Sequence, residues 1–379
     1  MVKAHRIPSI AFIDDGINPD SVPEGVPFGS FAVDGGEVID DAPMREVSHG
    51  TTCYEIFRDR VRASYHLTSL KVLDNTTGVG TNNALVTALR WCADQDIDLI
   101  NMSMGTRQYS DFPHIVDAVN RLQNSVIVAA CSNSNTLTFP ACLPTVIGVR
   151  CCGKECLERG FAYIQNPYDQ VDVMAKLCDS VGKLSNKSNS FAVPRITAHI
   201  CSYLAEGSSG MDAIRQKLRA DAMKGHSFAD YDFYRSLLPN WESLSIPTVA
   251  VIGDVPLVSN KLKALLDIFN RDGYRAAALT MHGMENVPNL IFQLGWRGEG
   301  HVSIPALVEL YYNFTLPDIL FLHMDKQGLL ALPDGLRPDI AIAQGGIGDA
   351  CFAAFDGASV LGFDEDVGQL YMKIKSLLS

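Results

Sequence analysis

The chain has 379 residues, of which 47% are hydrophobic and 20% charged, a composition typical of a folded globular protein with one or two domains. Its formal net charge of −12 argues against a nucleic-acid partner, because a broad nucleic-acid surface needs clustered basic residues. No uncharged apolar run reaches the roughly 18 residues of a membrane span, so we expect no membrane partner either.

The first eight residues include basic ones, but no apolar segment of signal-peptide length follows them, which favours a cytoplasmic location. In that reducing compartment the 10 cysteines are expected to be free thiols. Cys151, Cys152 and Cys156 form a tight cluster, but a fourth ligand at zinc-site spacing is not evident. We therefore expect neither a metal nor another cofactor.

Strand and helix patterns alternate along the first half of the chain. The apolar run 9–14 predicts a short strand, and 68–73 predicts a second. Apolar residues at helical spacing follow a polar start in 82–94, and buried strands are predicted at 97–103 and 125–130. Strands alternating with helices predict an α/β fold, in which a parallel sheet carries helices on both faces.

A second strand–helix series begins at Pro247. It comprises predicted strands at 247–253, 273–280, 317–323 and 337–343, with a helix at 259–269. We therefore predict a first domain at 1–222, a connector with aromatic anchors at 223–246, and a smaller Rossmann-like α/β domain at 247–379.

The second domain does not carry the motif of a nucleotide hydrolase. The segment from Gly253 to Lys261 lacks the second glycine and the correctly spaced lysine of a phosphate-binding loop. The glycine-rich segment 344–348 follows a predicted strand, a position where open α/β sheets often bind ligands. Of these alternatives we favour a degenerate domain that recognises substrate or docks a partner protein.

Three short motifs supply candidate catalytic residues. They are Phe12-Ile-Asp14-Asp15-Gly16, Ser48-His49-Gly50-Thr51 and Ser188-Asn-Ser190-Phe-Ala-Val-Pro194. Acyl transfer needs an oxygen nucleophile, a base that takes its proton and a group that orients the base. Ser190 would attack the carbonyl, His49 would accept the proton, and Asp14 would fix the imidazole tautomer.

In the order Asp, His, Ser, these motifs resemble the subtilisin-like serine peptidases, the subtilases. The resemblance extends over about residues 8–205 through the segments 71–80, 98–105, 128–133, 139–147 and 171–175. It implies a subtilisin-like parallel sheet flanked by helices. It also implies an oxyanion hole that contains Asn133, and substrate contacts at Ser103, Met104 and Gly105.

The sequence departs from the family pattern at a few positions. Ser188 and Asn189 stand where the family usually has Gly-Thr, and the side chain of Ser188 is expected to narrow the site or shift its loop. Asp15 replaces a hydroxyl residue and is expected in a turn or as a peptide-recognition carboxylate. Cys53 and Cys131 are expected near the site as small packing residues that thiol reagents could reach.

We predict an intracellular serine endopeptidase that cleaves a specific peptide or protein substrate through an acyl-enzyme. Removal of leader segments from modified peptides is the narrower expectation. Because Asp14 comes so early in the sequence, we expect neither a signal peptide nor a long prodomain. The alternative is a catalytically inactive subtilase fold that binds peptides as a scaffold.

Overall fold

The computed structural model describes residues 7–42, 47–152, 160–165, 167–176, 188–223, 231–238, 240–253, 255–282, 290–294, 302–344 and 358–378. Cys156 and the segment 345–348, both considered above, lie outside these residues. Internal contacts divide the chain into two compact units, residues 1–107 with 111–229 and residues 108–110 with 230–379. The segment interpreted from the sequence as a connector, 223–246, is thus split between the two units.

The described part of the first unit contains a nine-stranded sheet. In chain order its strands are β1 (Ser9–Asp14), β2 (Phe28–Asp34), β3 (Glu37–Asp40), β4 (His66–Lys71), β5 (Leu99–Met102), β6 (Val126–Ala130), β7 (Ile147–Cys152), β8 (Phe161–Tyr163) and β9 (Val173–Lys176). They lie in the order β3-β2-β4-β1-β5-β6-β7-β9-β8. Only the edge pairs β2–β3 and β8–β9 are antiparallel, so the predicted parallel α/β sheet is confirmed.

Five α-helices are described between and after these strands. They are α1 (His49–Arg58), α2 (Asn82–Asp94), α3 (Phe112–Asn120), α4 (Val193–Ala205) and α5 (Met211–Asp221). Short 3₁₀ helices cover Pro19–Ser21, Tyr109–Asp111 and Asn189–Phe191. One hydrophobic core joins α1 and α4 to the strands β1, β5, β6 and β7. This core holds the two helices that follow the His49 and Ser190 motifs against one face of the sheet.

Strand β1 carries its polar end residue into the protein interior. Its neighbours β4 and β5 pair with it on both sides, and the residues after Ser9 are all buried, as expected for a continuous apolar run in a parallel sheet. The Phe12 ring lies edge-on to Tyr54 and Phe57 of α1, with ring centroids 5.9 and 5.4 Å away. This packing brings the beginning of α1 next to Asp14 at the carboxyl end of β1.

The second unit contains a six-stranded sheet in which all neighbouring strands are parallel. Its strands are β10 (Thr248–Ile252), β11 (Ala276–Thr280), β12 (Ile291–Gln293), β13 (Ile319–His323), β14 (Ile340–Ala343) and β15 (Ser359–Gly362). Its helices are α6 (Tyr231–Leu237), α7 (Val255–Arg271), α8 (Ile304–Thr315), α9 (Lys326–Leu330) and α10 (Val367–Leu378), with a 3₁₀ helix at Asp334–Leu336.

The strand order of the second unit corrects the Rossmann-like prediction. The sheet order is β12-β11-β13-β10-β14-β15, so β13 lies between the first two strands of the unit. In the usual dinucleotide-binding order those two strands are neighbours. All residues of β13 are buried, and a strand that is apolar on both faces is stable inside the sheet rather than at its edge.

Within the ranges that the structure describes, none of the helices has the length and apolar character needed to cross a lipid bilayer.

We expect Gly50→Ala to weaken the contact between α1 and β1. A Cβ at this position would lie 2.5 Å from the Gly16 carbonyl oxygen and 3.0 Å from Asp14 Cβ, so the backbone would have to shift. Overpacking of this kind costs about 1–3 kcal/mol, which hydrogen-exchange mass spectrometry would detect as lost protection of the α1 amides. Gly335→Ala is the control, since no atom lies within 4 Å of its added Cβ. Unchanged α1 protection in Gly50→Ala would contradict the prediction.

Candidate active site

Asp14 ends β1 as a buried carboxylate at the carboxyl edge of the sheet. Its Oδ1 accepts hydrogen bonds from the Asp15 N–H at 2.9 Å and from His49 Nδ1 at 2.8 Å. Burial raises the pKa of Asp14, and the hydrogen bond from His49 opposes that rise. The side chain is therefore held with its Oδ1 atom facing the imidazole.

The beginning of α1 is fixed to the loop after β1 by side chains from both motifs. Asp15 is buried, and its two oxygens accept from the backbone N–H of His49 at 3.1 Å and of Gly50 at 2.7 Å. Ser48, the N-cap, donates to the Gly16 carbonyl at 2.8 Å. A carboxylate at this end also complements the helix dipole.

This arrangement changes the interpretation of Asp15. The sequence predicted a turn residue or a peptide-recognition carboxylate, but both carboxylate oxygens bond to the start of α1. Asp15 therefore caps the helix that carries His49, and contact between Asp15 and a peptide stays a prediction. The sequence contained one signal for this role, because Ser48 before His49 is typical of the start of a helix. The first backbone N–H groups of a helix have no partner within it and need acceptors from elsewhere.

The short 3₁₀ helix before α4 places Ser190. Pro194 occupies the first turn of α4, where its missing N–H is tolerated. Ser190 Oγ lies 2.9 Å from His49 Nε2. The Phe191 ring packs against the imidazole with centroids 5.1 Å apart, which limits the orientations that His49 can take.

Asp14, His49 and Ser190 are therefore linked by two consecutive hydrogen bonds of 2.8 and 2.9 Å. With Nδ1–H donating to the carboxylate, Nε2 is left as the acceptor for the Ser190 hydroxyl proton. Burial lowers the pKa of His49, but the hydrogen bonds with Asp14 and Cys53 outweigh burial and raise that pKa above its ordinary value. This geometry is the one that nucleophilic acyl transfer requires.

Asn133 lies beside the nucleophile. Its Oδ1 accepts the backbone N–H of Asn189 at 2.9 Å, which leaves the Nδ2 amide as the group that can donate to a ligand. The Asn189 side chain is buried, accepts from the Cys151 N–H at 2.7 Å and donates to the Ser132 carbonyl at 2.7 Å. Asn189 thus ties the Ser190 turn to the segment of Asn133, a role that the sequence did not reveal.

The segment Ser103-Met104-Gly105 follows β5 at the same edge of the sheet. Ser103 is buried, and its hydroxyl accepts from Asn101 Nδ2 at 3.1 Å. Asn101 Oδ1 in turn accepts from Thr197 of α4 at 2.8 Å. Gly105 is exposed and has no room for a Cβ, which would lie 2.7 Å from the Phe139 carbonyl oxygen. Substrate contact at 103–105 stays a prediction, and Asn101 is a buried support that the sequence did not indicate.

Two cysteines lie next to the site. Cys53 Sγ is 3.9 Å from His49 Nδ1, and Cys131 Sγ accepts from Asn189 Nδ2 at 3.1 Å. Burial raises the pKa of both thiols, so they are protonated at neutral pH. Cys53 has no exposed surface and Cys131 is 4% exposed. The expectation that thiol reagents could reach these two cysteines is therefore wrong.

Asp14, His49 and Cys53 also present metal-ligand atoms within 4.8 Å of one another, the single such group among the residues that the structure describes. A cation there would compete with the hydrogen bond between His49 and Asp14 for the same atoms. We therefore assign this cluster to the orientation of the imidazole.

Residues 47–229 match the model of the subtilase family, so this segment of the chain resembles that family. The family is one of serine peptidases, which are hydrolases.

Two curated relatives and one solved structure illustrate the similarity. Subtilisin DY of Bacillus licheniformis is 36% identical over 97 residues, which are 24% of this chain and 34% of that protein. The major intracellular serine protease of Bacillus subtilis strain 168 is 27% identical over 181 residues, 41% of this chain and 55% of the relative. The chain thus spans less than two thirds of either relative. The prenylagaramide maturation protease PagA has 19% identity and a TM-score of 0.45, with 61% of this chain and 88% of that chain covered.

We expect catalytic activity to depend on pH through His49. Only the neutral imidazole can accept the Ser190 proton, so kcat/KM should rise with pH through one ionisation whose pKa lies above the ordinary value. Asp14→Asn removes the anion that stabilises the imidazolium. The rise should therefore shift to lower pH, while the maximum rate falls by about 10⁴ because the amide favours the wrong tautomer.

The measurement is the pH profile of peptide-ester hydrolysis, with circular dichroism as the check on folding. Asp117→Asn is a matched control, since it removes a surface carboxylate that pairs with Arg90 at 2.9 Å. If Asp14→Asn kept the wild-type profile, Asp14 would not be the group that sets the pKa of His49.

Proposed function

We propose that this chain is a serine endopeptidase that uses Asp14, His49 and Ser190 to hydrolyse peptide bonds through an acyl-enzyme. The observation that carries the proposal is the continuous hydrogen-bond chain from Asp14 through His49 to the Ser190 hydroxyl, with distances of 2.8 and 2.9 Å. The match of residues 47–229 to the subtilase family supports it, since this segment contains His49 and Ser190. Asp14 precedes the segment, in the Asp, His, Ser order that is typical of that family.

In the proposed reaction, Ser190 Oγ attacks the carbonyl carbon as its proton passes to His49 Nε2. The carbonyl oxygen becomes an oxyanion, which the Asn133 amide and the Ser190 backbone N–H stabilise. His49 then protonates the departing amine nitrogen, the C–N bond breaks and an ester with Ser190 remains. A water molecule, deprotonated by His49, attacks this ester and releases the carboxylic acid and the free serine.

The substrate in this proposal is an extended peptide that lies beside 103–105, where the backbone reaches the site at the end of β5. We place the enzyme in the cytoplasm, and one supporting observation is its similarity to a relative named as an intracellular serine protease. Leader removal from a ribosomally made, modified peptide is the narrower substrate proposal, and it rests on the resemblance to the subtilases together with the presence of a second α/β unit.

The second unit is proposed to recognise the peptide substrate or a partner protein. Its parallel sheet has the open α/β form whose strand ends often bind ligands. The segment after β10 lacks the glycine and lysine spacing of a phosphate-binding loop, which favours recognition over nucleotide hydrolysis.

A catalytically inactive scaffold is the second candidate. The specific observation in its favour is Ser188, whose hydroxyl lies 2.5 Å from the Ser190 hydroxyl at a position where the family usually has glycine. A side chain at this position narrows the space beside the nucleophile. A scaffold would bind a peptide beside 103–105 without forming a covalent bond.

Covalent labelling separates the two candidates. A fluorophosphonate should react with Ser190 and release fluoride, because the oriented His49 activates the hydroxyl. Ser190→Ala should abolish the labelling, while Ser202→Ala, which removes a hydroxyl bonded to the Ala198 carbonyl in α4, should leave it unchanged. Intact wild-type protein that never labels, or labelling that survives Ser190→Ala, would favour the scaffold.

Removing the second unit tests its proposed recognition role. A chain that ends at residue 229 retains the nine-stranded sheet and its core, and it lacks all of the second unit except residues 108–110. It should keep its kcat on a short peptide ester and lose at least about tenfold in kcat/KM on a longer cognate peptide, a loss of about 1.4 kcal/mol in transition-state binding. Circular dichroism and fluorophosphonate labelling check that the shortened chain folds. An equal loss on both substrates would show that the second unit only supports the fold.

A further inference from the structure

Ser188 places a second hydroxyl at the nucleophile. Its Oγ lies 2.5 Å from Ser190 Oγ and 3.5 Å from Asn133 Oδ1. The Ser188 side chain is half-buried and therefore borders the open side of the site. A hydroxyl thus lies between the attacking oxygen and the residue that the proposed mechanism assigns to the oxyanion.

The number of available protons fixes the direction of the bond between the two serines. In the neutral imidazole that acts as the base, His49 Nδ1–H donates to Asp14, so Nε2 is an acceptor and takes the single hydroxyl proton of Ser190. Ser190 Oγ can then only accept from its other neighbour. In this state Ser188 is the donor in the 2.5 Å bond, which is much shorter than the 3.5 Å contact that its hydroxyl can alternatively make as a donor to Asn133 Oδ1.

Attack on a carbonyl changes which oxygen is the better acceptor. Once Ser190 Oγ is bonded to the substrate carbon, its lone pairs are those of a neutral, ether-like oxygen. The former carbonyl oxygen on the same carbon carries the negative charge, and hydrogen bonds to charged oxygens are about twice as strong as those between neutral groups. The Ser188 hydroxyl therefore forms a stronger hydrogen bond when its proton turns from Ser190 Oγ to the oxyanion. This change needs only rotation of the hydroxyl and no movement of the backbone.

We propose that Ser188 is an additional catalytic residue, whose hydroxyl donates to Ser190 before attack and to the oxyanion in the tetrahedral intermediate. This inference rests on the proposed peptidase function. It makes the oxyanion site a set of three donors, namely the Ser188 hydroxyl, the Asn133 amide and the Ser190 N–H. The bond to the charged oxygen exists only after attack, so it raises kcat and leaves substrate binding unchanged.

The effect is expected to be smaller than that of an enclosed oxyanion donor. Loss of such a donor lowers kcat by about 10²–10³. Ser188 is half-buried, so water can partly replace its hydroxyl when the side chain is shortened. We therefore expect Ser188→Ala to lower kcat by about tenfold.

The test compares Ser188→Ala with Ser188→Thr, which keeps a hydroxyl at the same carbon, and with the control Ser202→Ala. Steady-state hydrolysis of a short peptide ester gives kcat and KM for each protein. Two probes of the same peptide sequence are then bound at equilibrium. A peptide aldehyde forms a tetrahedral adduct with Ser190, and the matching peptide alcohol forms no bond.

For Ser188→Ala we expect kcat to fall by about tenfold with KM unchanged, and aldehyde affinity to fall by about the same factor. Affinity for the alcohol should stay at the wild-type level, because the alcohol has no oxyanion. Ser188→Thr should recover most of the kcat and of the aldehyde affinity.

Several outcomes would overturn the inference. One is a Ser188→Ala enzyme whose kcat and aldehyde affinity equal or exceed those of wild type, which would show that the hydroxyl does not stabilise the intermediate. Another is equal weakening of aldehyde and alcohol, which would show that Ser188 only shapes the binding site. A wild type that is inert to fluorophosphonate and ester would overturn the proposed function itself. That result differs clearly from an active wild type with an unaffected variant.

Discussion

The carboxylate of Asp15 joins the end of β1 to the start of α1, and the arrangement of the site depends on this junction. Its two oxygens hold the N–H groups of His49 and Gly50 at 3.1 and 2.7 Å, while the backbone at Gly50 approaches too closely for any side chain. The backbone of His49 is therefore fixed relative to Asp14 before any substrate arrives. Because the imidazole is already oriented, it loses little further conformational entropy when it takes part in the proposed reaction.

Two buried amides support the other side of the site. Asn189 connects the Ser190 turn to Ser132 and Cys151, and Asn101 connects β5 to Thr197 of α4. Each amide uses both its oxygen and its nitrogen, so burial leaves no uncompensated polar group and the bonds are strengthened by the low dielectric of the interior. Strand ends that are distant in sequence are thereby held in one rigid frame around the nucleophile.

Much of the first sheet could be predicted because its strands are continuous apolar runs. The predicted strands at 9–14 and 125–130 correspond to Ser9–Asp14 and Val126–Ala130, and helix 82–94 has the predicted bounds. The β2–β3 hairpin was missed although Gly35 and Gly36 form a recognisable turn, since its half-exposed strands carry no apolar run.

The position of β13 and the capping role of Asp15 could not be read from the sequence, because both arise from contacts between distant segments. Local motifs identified the three residues that the structure links by hydrogen bonds, and their catalytic roles stay predictions. The same motifs gave no sign of Asn101 or Asn189 as supports, since an asparagine in a strand or turn is usually solvated.

The order of the motifs along the chain has a consequence for synthesis on the ribosome. Ser190 lies 141 positions after His49, beyond the nine strands that the structure describes in its unit. A nascent chain that has emerged only through β9 holds the proposed base and its carboxylate but lacks the proposed nucleophile. In the proposed mechanism, catalysis can therefore begin only when α4 packs onto an almost finished domain. Before that point the growing polypeptide would have no means of cleaving itself or its neighbours, whatever its eventual specificity.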